Sequence, residues 1–221
     1  RDLLGMLASQ AAVALDNAQW SQDLEQKVAQ RTQELQASNA LIQQRANELA
    51  IINSIQEGMA AELNFQTIVD LVGDKLVELF GAGTSVLGWL DDEAGLIRLL
   101  YACEHGLRRK LPPVEIAAVA AGKRYYEALA ARQAVLWASQ AEYRAWGLFV
   151  AEGTEMSRSG VLVPIFARDR TLGLISLENM ERDNAYGDAD VRLLSTVGAS
   201  MGVALENARL FDETQRLFKE S

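Results

Sequence analysis

The chain is short of the residues that most often carry chemistry. Its 221 residues include one cysteine, Cys103, and one histidine, His105. A single cysteine excludes an intrachain disulfide, and so small a Cys/His set excludes most zinc sites. One imidazole allows at most one histidine-dependent triad. Proline occurs three times, and never before Pro112-Pro113. Cations are outnumbered: 21 Lys and Arg against 30 Asp and Glu give a net charge of −9. An acidic chain repels phosphate backbones, so no nucleic-acid partner is expected. No apolar run approaches the ~18 residues of a membrane helix, and no signal peptide opens the chain. These absences predict a cytoplasmic segment with no membrane contact. The chain begins at Arg1, as expected of a piece of a longer protein. What is present is 49% hydrophobic residues, enough for one sizeable core. At ~100–200 residues per domain, that means one domain with an extension, or two small ones.

A repeat frames the sequence. Leu3-Leu4 through Val13-Ala14-Leu15-Asp16-Asn17-Ala18 returns, 190 positions later, as Leu193-Leu194 through Val203-Ala204-Leu205-Glu206-Asn207-Ala208. Both copies have helical apolar spacing. The reading is that residues 1–20 are the last helix of a preceding domain, and that a domain of the same kind comes next and ends in its own copy.

Residues 20–60 hold no proline and one glycine, Gly58. A heptad runs through them, with Val28, Leu35, Ile42, Leu49 and Gln56 at a, and Leu24, Arg31, Ser38, Arg45, Ile52 and Met59 at d. A 3.5-residue apolar period favours a parallel two-chain coiled coil, and the polar intrusions weaken it. A solvated spacer helix is the alternative. The coiled coil is favoured because similar domains flank it.

The rest alternates in type. Residues 48–80 read as a long or broken helix with Asn64 as an internal cap. Ser85 to Leu90 and Ile97 to Ala102 read as a hairpin turning at 91–95. Pro112-Pro113 marks a loop, and residues 114–131 read as helix. Val135 to Ala138 reads as a short strand and Gln140 to Val150 as a short helix. Gly160 to Ala167 and Thr171 to Glu178 read as a second hairpin, and a final helix is capped by Asp188. This is an α+β plan.

The second hairpin, Gly160-Val161-Leu162-Val163-Pro164-Ile165 then Leu172-Gly173-Leu174-Ile175-Ser176-Leu177-Glu178-Asn179, resembles the last two strands of a GAF domain. The segment after it is similar too, with Tyr186, Asp188, Asp190, Leu193-Leu194 and the Val203 to Ala208 string. Arg31-Thr32-Gln33-Glu34-Leu35 looks like the connecting helices of bacterial sensor kinases and cyclases. Leu49 to Gly58, with Leu71-Val72-Gly73-Asp74-Lys75 beyond it, is similar to the openings of GAF domains strung in tandem. The resemblance implies an antiparallel sheet of about six strands, backed on one face by the N- and C-terminal helices. The irregular middle covers the other face, often over a small-molecule pocket. The expected domains are 1–20, the tail of a preceding GAF domain; 21–47, a coiled-coil linker; 48–210, a GAF domain; and 211–221, the start of the next linker.

No catalytic set appears. Gly122-Lys123 is followed by Arg124 and lacks the rest of a P-loop, and Gly81 and Gly83 lack a third glycine for a dinucleotide fingerprint. A helical phosphoacceptor histidine is missing, because His105 precedes Gly106 in an expected loop. Any kinase or cyclase activity therefore belongs to another part of the protein. Bilin-carrying GAF domains attach their chromophore to a cysteine, but Cys103 is set apart from His105 by Glu104 and sits at a strand end, so bilin is disfavoured. GAF-type reductases of free methionine sulfoxide use several cysteines, to resolve the oxidised nucleophile. The Asn-Lys…Phe-x-x-x-Asp-Glu signature of cyclic-nucleotide-binding GAF domains survives only as Asn179, Tyr186 and Asp190, with Met180 and Val191 replacing the Lys and Glu.

Aromatic residues with a few polar neighbours are the expected pocket. The candidate ligand-binding residues are Trp89, Arg98, Tyr101, Tyr126, Trp137, Trp146, Ser159 and Ser176, with Tyr125, Tyr143 and Arg144 nearby in the roofing segments. No metal site is expected. The expected role is a non-catalytic sensor module. It would bind a small ligand of unknown identity and signal through a homodimer formed by residues 20–60 and the C-terminal helix. The alternatives are a ligand-free dimerisation or spacer domain, and a cyclic-nucleotide-binding domain.

Overall fold

The computed structural model describes residues 2–62, 64–120, 123–150 and 154–219. The side chains of 2–5, 8, 11 and 219 lie outside the described set, as do Gly122 of the Gly-Lys pair and the Leu3 and Leu4 side chains of the repeat. Contacts divide the chain into two units, 1–50 and 51–221.

The first unit is helical throughout its described residues, as part of α1 (Asp2–Ala60). With no proline, nothing interrupts its backbone hydrogen bonds. Its polar side chains pair along the helix, Gln30 with Glu34 at 3.0 Å and Gln44 with Glu48 at 3.1 Å. Each such pair stabilises a helix by ~0.2–0.5 kcal/mol. The predicted seam residues Leu24, Val28, Leu35, Ile42 and Leu49 are all exposed.

The second unit starts with the last turns of α1, which bury Ile55 and Met59. Met59, a d position of the heptad, thus belongs to the domain core, and the exposed seam ends at Leu49. The helix predicted over 48–80 breaks after Ala60. The next helix, α2 (Phe65–Phe80), starts where Asn64 Oδ1 accepts the Thr67 N–H at 3.0 Å, the cap expected from the sequence. It stops at Gly81, which adopts the left-handed conformation.

Among the described residues, seven strands form one antiparallel sheet. They are β1 (Thr84–Asp91), β2 (Leu96–Glu104), β3 (Leu107–Arg108), β4 (Val114–Glu115), β5 (Val135–Trp137), β6 (Ser159–Ala167) and β7 (Arg170–Asn179). The order is β3-β2-β1-β7-β6-β5, with β4 also pairing β2. The seventh strand beyond the expected six comes from the two-residue pieces β3 and β4. The helix predicted over 114–131 is broken up. Val114 and Glu115 pair with Ile97 and Leu96, and helices α3 (Ile116–Ala120) and α4 (Arg124–Ala130) come next. The β-branched side chain of Val114 suits the strand edge. Helix α5 (Gln140–Trp146) ends earlier than predicted, at left-handed Gly147.

The last helix, α6, spans Asp188–Lys219. Its cap is Gly187 rather than Asp188: the Gly187 N–H donates to Asp190 Oδ2 at 2.8 Å, and the Gly187 carbonyl accepts from Val191. That is the reach-back half of a capping box. One sheet face packs on α2, α6 and the last turns of α1 through a core that includes Ile68, Val72, Leu87, Val163, Ile175, Leu194 and Met201. Helix α6 comes close to β6 only because it presents glycine there. A Cβ on Gly198 would lie 2.7 Å from the Pro164 carbonyl oxygen, and one on Gly202 would fall on the Phe166 backbone.

Candidate functional site

Strand register lays a grid on the face opposite those helices. Residues paired across neighbouring strands share a face. The first row is Glu104, Thr84, Glu178 and Gly160; the second is Ala102, Val86, Ser176 and Leu162; the third is Leu99, Gly88, Leu174 and Pro164. The grid is polar at one end and apolar at the other. It floors a cavity of about 80 Å³, roofed by Tyr125 of α4, Tyr143 of α5 and the Leu148–Val150 segment. Cys103, Arg109, Thr154 and Glu155 also line it.

The roof is held by directed bonds. The Tyr143 hydroxyl donates to the Phe149 carbonyl at 2.5 Å, and burial pushes its acidity range upward. Trp137 lies over Gly160, where a Cβ would collide with the indole ring. Its Nε1–H donates to Ser157 Oγ at 3.2 Å. Ser157 in turn bonds the Glu178 carboxylate, and the Ser176 hydroxyl donates to Glu178 Oε1 at 3.1 Å. Burial pushes the Glu178 carboxyl above the ordinary carboxylate range. The two serine bonds pull it back, and the Glu104 charge adds to the rise. Two buried hydroxyls on the cavity wall, Thr84 Oγ1 and Tyr125 OH, have no hydrogen-bond partner. An unpaired polar atom at such depth costs ~1–3 kcal/mol, which a bound molecule with matching groups would offset.

Of the eight candidate residues named from sequence, Ser176 lines the cavity. The other seven are not brought together there. Trp89 and Tyr101 face the helices. Trp89 meets Phe65 edge-on with centroids 5.0 Å apart. The Tyr101 hydroxyl donates to Asp74 at 3.0 Å, and Arg108 stacks over its ring at 3.6 Å. Arg98 pairs with Asp91 at 2.8 Å on the surface. Tyr126 is half-buried against Tyr125, and Trp137 is engaged with Tyr143 and Ser157. Trp146 Nε1 donates to the Leu136 carbonyl at 3.1 Å, beneath Arg124. The Ser159 hydroxyl donates to the Arg182 carbonyl and accepts from the Ala185 N–H, closing the turn after β7.

Sequence reasoning missed Thr84, Glu104 and Glu178 as a set. Their signal was polar residues at the cavity-facing parity of apolar strands, as in Leu174-Ser176-Glu178. The Asn179, Tyr186 and Asp190 pattern stays outside the cavity lining. Asn179 Oδ1 accepts from the Glu181 and Arg182 N–H groups, Tyr186 packs near Phe80, and Asp190 caps α6. Among the described residues, no cluster of His, Cys, Asp and Glu suits a metal ion, and no helix is long and apolar enough to cross a membrane.

Solved structures share this architecture. The GAF domain of an Acinetobacter phosphoenolpyruvate-protein phosphotransferase superposes with a TM-score of 0.59 at 12% identity, covering 73% of this chain and 94% of that one. Free methionine-R-sulfoxide reductase from Neisseria meningitidis, solved with its substrate, gives 0.57 at 15% identity, covering 75% and 92%. The A. aeolicus Nlh2 GAF domain in an inactive state gives 0.57 at 11% identity, covering 74% and 98%. Such identities show the fold alone. No curated protein matches the chain. Sequence and fold converge, because residues 62–206, which carry the sheet, the roof and most of α6, match the GAF domain model. This chain belongs to the GAF domain family.

Proposed function

We propose that the chain is a non-catalytic regulatory module whose cavity takes a small ligand. The observation that carries this is the cavity with two buried, unpartnered hydroxyls, Thr84 and Tyr125, on its wall. Enzymatic GAF folds exist, as the reductase similar to this chain illustrates. In this chain, Cys103 is the only thiol available to such chemistry, and a redox cycle needs a second thiol to resolve the first. The volume of about 80 Å³ lies below the ~300 Å³ at which pockets for drug-sized ligands begin, which favours a ligand smaller than a cyclic nucleotide.

The output runs through a homodimer. Leu24, Val28, Leu35, Ile42 and Leu49 are exposed on α1 at heptad spacing, which suits a second copy of the same helix. The C-terminal helix extends the interface. A ligand shifts the paired helices only by its differential affinity for two states of the domain. The setting is cytoplasmic, with the output domain elsewhere in a longer signalling protein. Native mass spectrometry of the purified chain tests both parts together. The expected spectrum is a dimer that retains, or takes up, a small molecule. A monomer at all concentrations, with no thermal shift for any small ligand, would overturn the reading in favour of a passive spacer.

A further inference from the structure

The charges around the cavity are unevenly matched. Among the described residues, its lining holds three carboxylates, Glu104, Glu155 and Glu178, and one cation, Arg109. Arg109 lies 3.7 Å from Glu104, whose side chain is 12% exposed. Glu178 has only hydroxyl partners: among the described residues, no Lys, Arg or His pairs with it. Thr84 stands between Glu104 and Glu178 in the same cross-strand row, so its free Oγ1 is flanked by two carboxylates. Thr84 is 7% exposed and Tyr125 1%, so neither hydroxyl is left to bulk solvent. One row further along, the floor turns to Val86 and Leu162, then to Leu99 and Leu174.

We infer that this cavity selects a compact organic monocation, a primary ammonium on a short aliphatic body, with Glu178 as its counter-ion. This assignment rests on the cavity being a ligand site, as proposed above, and adds the chemical class. An ammonium carries three donors and no acceptor. The polar row offers what three donors need: the Glu178 carboxylate and the Thr84 oxygen, with Glu104 behind it. An anionic ligand at that end would lie against Glu178 and Glu104, and a neutral one would leave Glu178 holding the proton that burial favours, whereas a cation draws it into the charged form. The apolar rows and the small volume limit the body to a few carbons.

Three isosteric probes separate the class from the site: isobutylammonium, isobutanol and isobutyrate, titrated into the full chain with amide NMR as the readout. Isobutylammonium is expected to shift the amides of Thr84, Ser176 and Glu178 and to bind about tenfold or more tighter than isobutanol, the usual gain of a charge-assisted bond. Isobutyrate is expected to leave those amides unmoved. Glu178→Gln should bring isobutylammonium down to the level of the alcohol. Leu174→Phe, which fills the apolar end, should weaken both. In the unmodified protein, ammonium affinity should rise with pH as Glu178 ionises. Glu104 on β2, Tyr143 on α5 and Tyr186 before α6 act on that carboxylate, and Arg109 and Glu155 line the same cavity. Of these, Glu104 is the carboxylate whose charge delays its ionisation.

If isobutanol or isobutyrate binds as tightly as the ammonium, the charge class is wrong and the site stands. If no probe moves the cavity amides, the class and the site both fall. If the ammonium binds equally to Leu174→Phe, it binds elsewhere and the inference is refuted. Should Glu178→Gln not fold, the pH series on the unmodified chain still decides: affinity flat or falling with pH overturns the pairing.

Discussion

Replacing glycine by alanine within a helix ordinarily stabilises it by ~1 kcal/mol, because glycine loses more backbone entropy on folding. Three helical glycines of this domain face different walls, so the same change should give three results. At Gly58 the added methyl meets only Leu71 side-chain carbons, the nearest at 3.0 Å, and that side chain can turn aside. At Gly198 it meets the Pro164 carbonyl oxygen at 2.7 Å, and at Gly202 it falls on the N, C and O of Phe166. Backbone of a central strand does not yield as a leucine does. Overpacking a rigid wall costs ~1–3 kcal/mol. Gly58→Ala should therefore lie between a gain of ~1 kcal/mol and no change. Gly198→Ala should be near neutral or mildly destabilising. Gly202→Ala, at the upper end of the clash, should lose ~2 kcal/mol after the helix gain is subtracted. With a urea slope of ~2 kcal/mol/M, that moves the midpoint down by ~1 M. Urea unfolding followed by circular dichroism measures all three. A Gly202→Ala midpoint at or above that of the unmodified chain would refute the claim that backbone contact fixes α6 on β6.

Three further outcomes concern single groups or pairs. Glu178 has a raised folded-state pKa, so the folded domain holds its proton more tightly than the unfolded chain does. The stability this gives is complete below the ordinary glutamate value of 4.5 and is lost as pH rises through the raised pKa. Thermal melts across that window should show Glu178→Gln gaining on the unmodified chain as pH rises, and parallel curves would contradict it. Asn64→Ala removes the side-chain acceptor for the Thr67 N–H and should cost ~1 kcal/mol by urea unfolding, with Asn64→Asp close to neutral. Leu35→Lys with Ile42→Lys puts two charges into the proposed seam and should give a monomer by light scattering without lowering the melting point of the 51–221 unit.

The elements legible in the sequence are those where local chemistry and tertiary demand agree. Asn64 before an apolar period, Gly81 after it, and the Arg168 to Arg170 turn between two β-branched runs each mark a boundary that the chain honours. The middle segment is harder to read. Residues 114–131 have helical composition, yet Val114 and Glu115 are captured by the edge of β2. That pairing is a long-range contact which no local window contains. The cap of α6 lies one residue away from its expected place for a similar reason. Asp188 and Asp190 are both good first-turn residues, and only the bond from the Gly187 N–H to Asp190 decides between them.

The site residues turn on parity. Aromatic side chains suggest pocket walls, but along β1 the even positions face the cavity and the odd ones face the helices. Thr84 and Val86 therefore line it, and Trp89 packs on Phe65. On β2, counting from Ile97 and Leu99 would carry Tyr101 into the cavity. The register shifts there: Gly88 pairs with Leu99 while Leu87 pairs with Tyr101, so Leu100 is an extra residue. One inserted residue exchanges the two faces of everything beyond it. Tyr101 is turned onto Asp74, and Ala102 and Glu104 take the cavity side instead. The same bulge thus removes a large aromatic ring from the cavity floor and sets a carboxylate beside Thr84. Deleting Leu100 should therefore leave the two faces as they are, because Tyr101 would follow Leu99 in plain alternation, with Leu99 still opposite Gly88 and Tyr101 still opposite Leu87. Tyr101 stays on Asp74, Ala102 and Glu104 stay on the cavity side, and the variant should still unfold cooperatively, less stable only by the contacts of Leu100 itself. A variant lacking Leu100 that loses cooperative unfolding, or whose Tyr101 ring moves into the cavity, would refute the assignment of Leu100 as the extra residue.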